Sequence, residues 1–241
     1  MWLINSSIGR KVVMSVTGIA LILFLTFHCA MNIVALFSGE AYNMICELLG
    51  ANWYAVAATL GLAALAAVHI VYAFLLTIQN RRARGNNRYA VTNTPEKVEW
   101  ASQNMLVLGI IICLGLFLHL FNFWSKMQLV ELVGNDPQAE ALAANGAFHI
   151  AKTFSNPIFT VLYMVWLCAL WLHMNHGIWS SVQTLGWSGK IWFHRWRIIG
   201  SIFATIVILM FVAVALAYCF GYRPADFNEV VPACALSSIC C

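Results

Sequence analysis

Five long and continuously apolar stretches dominate this chain and restrict the folds that it can adopt. Of its 241 residues, 62% are hydrophobic and only 9% are charged, whereas about 25% of the residues in a soluble domain are charged. A helix of about 20 residues crosses the hydrocarbon core of a bilayer, and continuous apolar sequence favours helices over a barrel. We predict an all-α integral membrane bundle, with residues 1–241 as a single membrane domain. Its five transmembrane helices are predicted at about 11–37, 53–80, 101–125, 157–185 and 196–221.

The positively charged residues are concentrated in alternate connections of this predicted bundle. Ten of the 13 Lys and Arg residues precede the first helix, or join the second helix to the third and the fourth to the fifth. Cytoplasmic loops are enriched in Lys and Arg, so we expect a cytoplasmic N-terminus and a C-terminus outside. The net charge of +4 is small and spread over loops, which argues against nucleic acid as a partner. The ten residues are Arg10, Lys11, Arg81, Arg82, Arg84, Arg88, Lys97, Lys190, Arg195 and Arg197.

Each of the first four predicted helices contains a histidine inside its apolar stretch. Ionisable residues in a membrane are costly and mark functional sites. Residue counts from the helix ends, at about 1.5 Å per residue, place His28 and His119 in the outer half and His69 and His173 in the inner half. The two levels are roughly 9–12 Å apart along the membrane normal. Two levels predict two bis-histidine haem b groups, an outer one held by His28 and His119 and an inner one held by His69 and His173.

A glycine precedes the histidine by ten residues on both the first and the third helix. These glycines are Gly18 in GIALILFLTFH (18–28) and Gly109 in GIIICLGLFLH (109–119). Ten residues of helix span about 15 Å, which brings both glycines close to the level of the inner pair. A residue without a Cβ atom lets a flat macrocycle approach the backbone. Close helix packing in the membrane is the alternative role of such glycines, and the sequence leaves both open.

The remaining histidines receive other interpretations. His149 and His194 fall in predicted connections and are expected to be solvated or at the lipid headgroups. His176 lies three residues after His173 and competes with it as a ligand. A hydrogen bond or a proton path is the role that we assign to His176. Residues 139–146, AEALAANG, are predicted to form a short surface helix in the connection after the third transmembrane helix.

The eight cysteines do not form a haem-attachment or metal motif. There is no Cys-x-x-Cys-His sequence, so covalent c-type haem is not expected. Cys234, Cys240 and Cys241 lie near the C-terminus. They can pair with one another or with Cys46 if that side is oxidising, although free thiols are the preferred interpretation. The cysteines inside predicted helices are interpreted as small hydrophobic side chains: Cys29, Cys113, Cys168 and Cys219.

Together these segments resemble the cytochrome b membrane-anchor subunit of succinate dehydrogenase and fumarate reductase (succinate:quinone oxidoreductase), in its single-chain, five-helix, two-haem form. The resemblance covers about residues 5–221. The family's ligand on the fourth helix is the first histidine of an H-x-x-x-G motif, which implies His173, followed by Gly177. The matching segments are SVTGIALILFLTFH (15–28), VHIVYAF (68–74), LHLF (118–121) and HMNHGIWS (173–180).

The resemblance implies a cofactor set, partners and a location. A flavoprotein subunit with FAD and an iron–sulfur subunit would dock on the cytoplasmic face of a bacterial inner membrane. The substrate within the lipid would be a quinone, usually menaquinone. Bis-histidine ligation leaves no open iron position, which favours electron relay over oxygen binding. The dicarboxylate chemistry would occur on the flavoprotein, because this chain has no flavin or nucleotide motif.

Three other functions fit the same sequence pattern. The chain can be the cytochrome b subunit of a formate dehydrogenase or a hydrogenase, or a transmembrane ferric or ascorbate-type reductase without partner subunits. It can also be a haem-free, proton-coupled transporter in which the histidines relay protons. An optical spectrum separates the last function from the others, because a haem-free protein has no Soret band.

The connection between the first and second helices contains the polar residues nearest to the outer level. Two-haem members of the family commonly have a quinone near the outer haem. The residues concerned are Glu40, Tyr42, Asn43 and Glu47. A carboxylate there can exchange the proton of a quinol, and we predict this role for Glu40 and Glu47. A solvated loop is the alternative.

Overall fold

The computed structural model describes residues 6–84, 100–134 and 136–236. In these residues five helices are long and apolar enough to cross a membrane, so the prediction of an all-α bundle of five transmembrane helices is confirmed. The protein is a multi-pass membrane protein. A 3₁₀ turn, Val34–Leu36, continues the first of these helices, and a π-helical turn, Leu120–Trp124, continues the third. The five helices are α1 (Ser7–Ile33), α3 (Trp53–Arg84), α5 (Met105–His119), α9 (Pro157–Thr184) and α10 (Lys190–Cys219).

The start of the fifth transmembrane helix was predicted too late. Helix α10 begins at Lys190, so Arg195, Arg197 and His194 lie on its first turns rather than in a loop. Charged side chains are compatible with a helix end that extends beyond the hydrocarbon, because their heads can reach water and headgroups. The guanidinium of Arg195, for example, lies 5.1 Å from the centre of the Trp192 ring. His194 is exposed, as the sequence predicted.

Four of the transmembrane helices surround a common axis. Helix α1 packs against α3 and α9, and α9 also packs against α5, whereas α3 contacts α5 only lightly. The order around the axis is therefore α1, α3, α5 and α9, so α1 is opposite α5 and α3 is opposite α9. Helix α10 packs on the outside of this arrangement, against α1 and α9.

Short helices cover the end of the bundle at which α1 ends. We call residues 38–52, 125–156 and 220–236 the cap, and we call the opposite end the basic end. The cap buries a hydrophobic core in which Ala147, Ile150 and Ala151 of one short helix are almost inaccessible to solvent. It also holds seven of the nine acidic residues of the chain. The cap helices are α2 (Gly39–Leu48), α6 (Gln128–Val133), α7 (Pro137–Ala143), α8 (Gly146–Phe154), α11 (Phe227–Val230) and α12 (Ala233–Leu236). Helix α4 (Trp100–Gln103) lies at the basic end.

The solvated position predicted for His149 is wrong. His149 lies on α8 and is only 6% exposed, with Nε2 at 3.1 Å from the carbonyl oxygen of Leu142. Burial disfavours the charged imidazolium and lowers the pKa of His149 to about 4. The predicted surface helix is α7, which ends at Ala143. Residues that follow it belong to the core because α8 packs against α2, α10 and the end of α1.

The tail after α10 is attached to the start of α2 by one carboxylate. Asp226 accepts hydrogen bonds from the Ser38 hydroxyl at 2.7 Å and from the backbone N–H groups of Gly39 and Glu40 at 2.9 and 3.0 Å. Unpaired N–H groups at a helix start favour a negative charge. The N–H of Glu40 and then that of Gly39 lower the pKa of Asp226 to about 2.

Replacing Asp226 by Ala should therefore release the tail. Loss of a capping carboxylate costs about 1 kcal/mol, and we expect faster proteolysis after residue 222 than in the wild type. Because the pKa is depressed on folding, the attachment is complete above about pH 4 and weakens as the pH falls towards 2. The exposed Glu229 is the matched control, and Glu229→Ala should be cleaved at the wild-type rate. Equal cleavage of all three proteins would refute the attachment.

The predicted disulfide pairs fall largely on residues that the structure does not describe. Cys240 and Cys241 lie outside the described residues, as does the side chain of Cys234. Cys46 is a free thiol, and its sulfur packs against Gly146, where a Cβ atom would collide with it. The loop residues Arg88 and Lys97 also lie outside the described residues.

Candidate functional site

The four intramembrane histidines meet as two pairs, and each pair joins opposite helices of the bundle. The ring centres of His28 on α1 and His119 on α5 are 5.7 Å apart, and those of His69 on α3 and His173 on α9 are 6.4 Å apart. Two imidazoles that ligate one metal from opposite sides, with each nitrogen about 2 Å from it, have ring centres roughly 6 Å apart. The structure thus brings together the residues that the sequence paired, at a separation that one metal can bridge.

His176 faces a different neighbour. Its ring packs edge-on against Trp179 with the ring centres 4.8 Å apart. Trp179 in turn contacts Phe193 of α10 and lies beneath the guanidinium of Arg197. Three residues along a helix change the direction of a side chain by about 300°, so His173 is directed to His69 while His176 is directed towards α10.

Gly18 adjoins the inner pair. A Cβ atom built on Gly18 would lie 3.3 Å from Cε1 of His69, which is closer than ordinary van der Waals contact. The neighbouring Thr17 has its hydroxyl oxygen 3.0 Å from Nδ1 of His69. These contacts show close approach of the His69 imidazole to α1. Neither of the roles considered from the sequence, approach of a macrocycle or close helix packing, included this contact.

Gly109 has a different environment from Gly18. No heavy atom lies within 4 Å of the position that a Cβ atom would take at Gly109, and the same holds for Gly61 and Gly177. Gly61 precedes His69 by eight residues, about 12 Å of helix, and so lies near the level of the outer pair. A residue without a Cβ atom and with open space beside it is compatible with an adjoining flat macrocycle, and Gly61 is exposed. Gly61 was not selected from the sequence as a glycine near a histidine pair. Its spacing of eight residues from His69 could have indicated that it lies near the outer level.

Aromatic rings surround His119 of the outer pair. Its ring centre is 5.1 Å from that of Phe123, 5.6 Å from that of Trp166 and 6.2 Å from that of Tyr163. The indole of Trp166 fills the space beside Gly115, where a Cβ atom would collide with it, and donates to the carbonyl oxygen of Ile112 at 3.1 Å. These rings exclude water from the imidazole.

The π-helical turn begins directly after His119. The N–H of Ser125 donates to the carbonyl oxygen of Leu120 at 2.8 Å, five residues earlier. The extra residue in this turn directs Asn122 into the bundle, where it is 1% exposed and its Nδ2 lies 3.5 Å from the hydroxyl of Tyr163. Such turns occur frequently at functional sites. The sequence does not reveal the turn, because no residue type specifies it.

Hydrogen bonds connect His28 to the cap. Asn32, one turn further along α1, donates from Nδ2 to the carbonyl oxygen of His28 at 2.8 Å, and this nitrogen lies 3.4 Å from Nε2 of the His28 ring. The Tyr42 hydroxyl of α2 donates to Oδ1 of Asn32 at 3.1 Å. Tyr42 is buried, and Asn43 accepts a hydrogen bond from the N–H of Ala147. Both residues therefore stabilise the contact of α2 with its neighbours.

Glu40 and Glu47 are both exposed on α2. Their proposed exchange of protons with a quinone remains a prediction. A third cap carboxylate, Glu131 of α6, is less exposed than Glu40 and Glu47. It is half-buried and accepts a hydrogen bond from the N–H of Ala51 at 2.9 Å. Burial raises the pKa of Glu131, and the charges of Glu47 and Glu140 act in the same direction. The sequence analysis missed Glu131.

Each histidine pair contains one buried ring nitrogen that has no hydrogen-bond partner in the described part of the chain. In the described part of the chain, Nδ1 of His119 and Nδ1 of His173 are buried without a hydrogen-bond partner. A buried polar atom without a partner costs about 1–3 kcal/mol, and a bound group that contacts these Nδ1 atoms would remove the cost. Residues 6–84, 100–134 and 136–236 contain no group of three or more His, Cys, Asp or Glu that could hold a metal ion. Two protein ligands at each site fit a metal whose other ligands come from a macrocycle, as in bis-histidine haem b.

No family model, curated protein or solved structure matches this chain. The fold and the site define its class by themselves: a multi-pass, all-helical membrane protein with two pairs of histidines across the axis of a four-helix core.

Proposed function

We propose that this chain is a dihaem cytochrome b membrane-anchor subunit of a succinate:quinone oxidoreductase. In this role it relays electrons between an iron–sulfur subunit and a membrane quinone, with menaquinone as the expected quinone. The observation that carries the proposal is the pairing of His28 with His119 and of His69 with His173 across the bundle axis. The sequence resemblance supplies the identity of the partner enzyme.

The four histidines would hold one haem b at each level. Haem b would supply one-electron oxidation and reduction of iron, and ligation by two histidines would leave no open iron position. The residues of this chain would bind and orient the groups and exclude water. Trp166 and Tyr163 cover His119, Asn32 contacts His28, and the glycines leave space beside the helices.

The distribution of charge supports an orientation and a docking face. Eight of the 11 basic residues in the described part of the chain lie at the basic end, and all seven acidic residues of that part belong to the cap. By the positive-inside rule, the basic end faces the cytoplasm of a bacterial inner membrane and the cap lies outside. The iron–sulfur subunit and the FAD-bearing flavoprotein would then dock at the basic end, nearer to His69 and His173. The quinone would react near the cap.

The experiment that tests this function is reduction of the complex by its substrate. The chain should be isolated from its native membrane with its partners, and optical spectra recorded after succinate is added. We expect the Soret and α bands of reduced haem b with succinate, and their reversal with fumarate. Stripping the partner subunits from the membranes should abolish both responses, which is the control.

Two outcomes favour the alternative functions. Reduction by formate or hydrogen but not by succinate would identify the cytochrome b subunit of a formate dehydrogenase or hydrogenase. A protein without any haem band would favour the haem-free, proton-coupled transporter. In that case, the hydrogen bonds of His28 with Asn32 and of His69 with Thr17 would be steps of a proton path.

A further inference from the structure

We propose that Thr17 is a positioning residue that holds His69 in one tautomer and one orientation, with Nε2 presented to His173. This inference rests on the proposed function, because it assigns a role to a residue that contacts a haem ligand. Thr17 was not selected as a functional residue from the sequence.

The Thr17 hydroxyl lies between the carbonyls of its own helix and the ring of His69. Thr17 is only 6% exposed. Its Oγ1 lies 2.9 Å from the carbonyl oxygen of Val13, 3.1 Å from that of Met14 and 3.0 Å from Nδ1 of His69. A hydroxyl has one proton, and a carbonyl oxygen can only accept. In the proposed arrangement the proton of Thr17 is directed to the carbonyls of its own helix, and its oxygen accepts from the Nδ1–H of His69.

A fixed proton on Nδ1 determines the chemistry of the other nitrogen. In a neutral imidazole only one ring nitrogen carries the proton, so the lone pair of His69 lies on Nε2 and is available to a metal. The ring of His173 is 6.4 Å away, centre to centre. A metal-ligating histidine commonly donates its second N–H to a polar neighbour, which fixes the ring and makes the ligating nitrogen more basic.

Gly18 provides the space that the His69 ring occupies beside α1. It follows Thr17 directly, and a Cβ atom on it would lie 3.3 Å from Cε1 of His69. The missing side chain allows the imidazole to approach α1 closely enough to reach the Thr17 hydroxyl. The outer pair has no equivalent hydroxyl contact in the described residues, since the polar neighbour of the His28 ring is the amide of Asn32. The outer haem therefore serves as a reference within the same molecule.

Two substitutions of Thr17 test the inference. Thr17→Val removes the acceptor and keeps the shape, whereas Thr17→Ser keeps the hydroxyl. Redox titration of the complex, followed optically, should show a more positive midpoint potential for the inner haem in Thr17→Val, or loss of that haem. The outer haem should be unchanged, and Thr17→Ser should return the inner haem to the wild-type potential. The inference is overturned if Thr17→Val titrates like the wild type, or if Thr17→Ser behaves like Thr17→Val.

A second measurement separates failure of this inference from failure of the proposed function. Nitrogen-15 NMR of the histidine-labelled, haem-free chain reports the tautomer of His69 directly. We expect a single Nδ1–H form in the wild type and in Thr17→Ser, and a mixture of tautomers in Thr17→Val. A wild-type chain that binds no haem but shows this pattern would contradict the proposed function and retain the positioning role. A mixture in the wild type would contradict the positioning role.

Discussion

Replacing His173 by Ala is expected to remove one of two haem b groups and to leave the other in place. His69 would then lack the ligand across the bundle axis, whereas His28 and His119 would keep theirs. The haem content of the purified variant should therefore fall to half of the wild-type value. Its spectrum should retain a low-spin, bis-histidine component, because the outer pair is not changed.

His176→Ala is the matched control for this experiment. His176 is on the same helix and only three residues away, but its ring packs on Trp179 rather than near His69. We expect His176→Ala to retain both haems. If His173→Ala retained both haems and His176→Ala lost one, the ligand on α9 would be His176, and the pairing would be wrong.

Replacing His119 by Ala should stop quinone reduction at the cap. Loss of the outer haem would leave the inner haem, which His69 and His173 would hold, as the electron carrier nearest to the cap end. From His69 to the start of α3 at Trp53 is 16 residues, or about 24 Å of helix, and electron transfer slows steeply with distance. We expect succinate-to-quinone turnover to fall to background. Transfer from succinate to an artificial acceptor at the flavoprotein should keep its wild-type rate.

The exposed His194 provides the control for general effects of histidine substitution. His194→Ala should keep wild-type turnover with both acceptors. Quinone turnover that persists in His119→Ala, after loss of the outer haem has been verified, would place the quinone at the basic end instead. The predicted roles of Glu40 and Glu47 in the cap would then be wrong as well.

The sequence predicted the transmembrane helices and the histidine pairs because the membrane supplies a fixed direction. A residue count along a helix converts into depth, so His28 and His119 could be assigned to one level without knowledge of the packing. The ends were less predictable. Helix α10 begins at Lys190 rather than near 196, since a helix continues beyond the hydrocarbon as long as its backbone hydrogen bonds are made.

The cap could not be predicted in the same way. His149 is buried because α8 contacts α2, α10 and the tail, which are distant in sequence. Similarly, Asp226 binds the start of α2 across more than 180 residues. Contacts of this kind depend on tertiary packing, and no local pattern of apolar residues reports them.

The surroundings of the histidines could be predicted from the sequence only in part. Thr17 precedes His28 by eleven residues, about three helical turns, so both residues share a face of α1. That spacing was a signal for a polar residue directed to the bundle axis. By contrast, the packing of Trp166 beside Gly115 and the π-helical turn after His119 depend on the relative position of α5 and α9, which sequence periodicity does not specify.

The central claim is that each histidine pair holds one haem. The most direct test is the pyridine haemochrome of the wild-type chain purified from its native membrane, with the protein quantified by amino-acid analysis. The account predicts two haem b groups per chain. One haem per chain, or none, would contradict it.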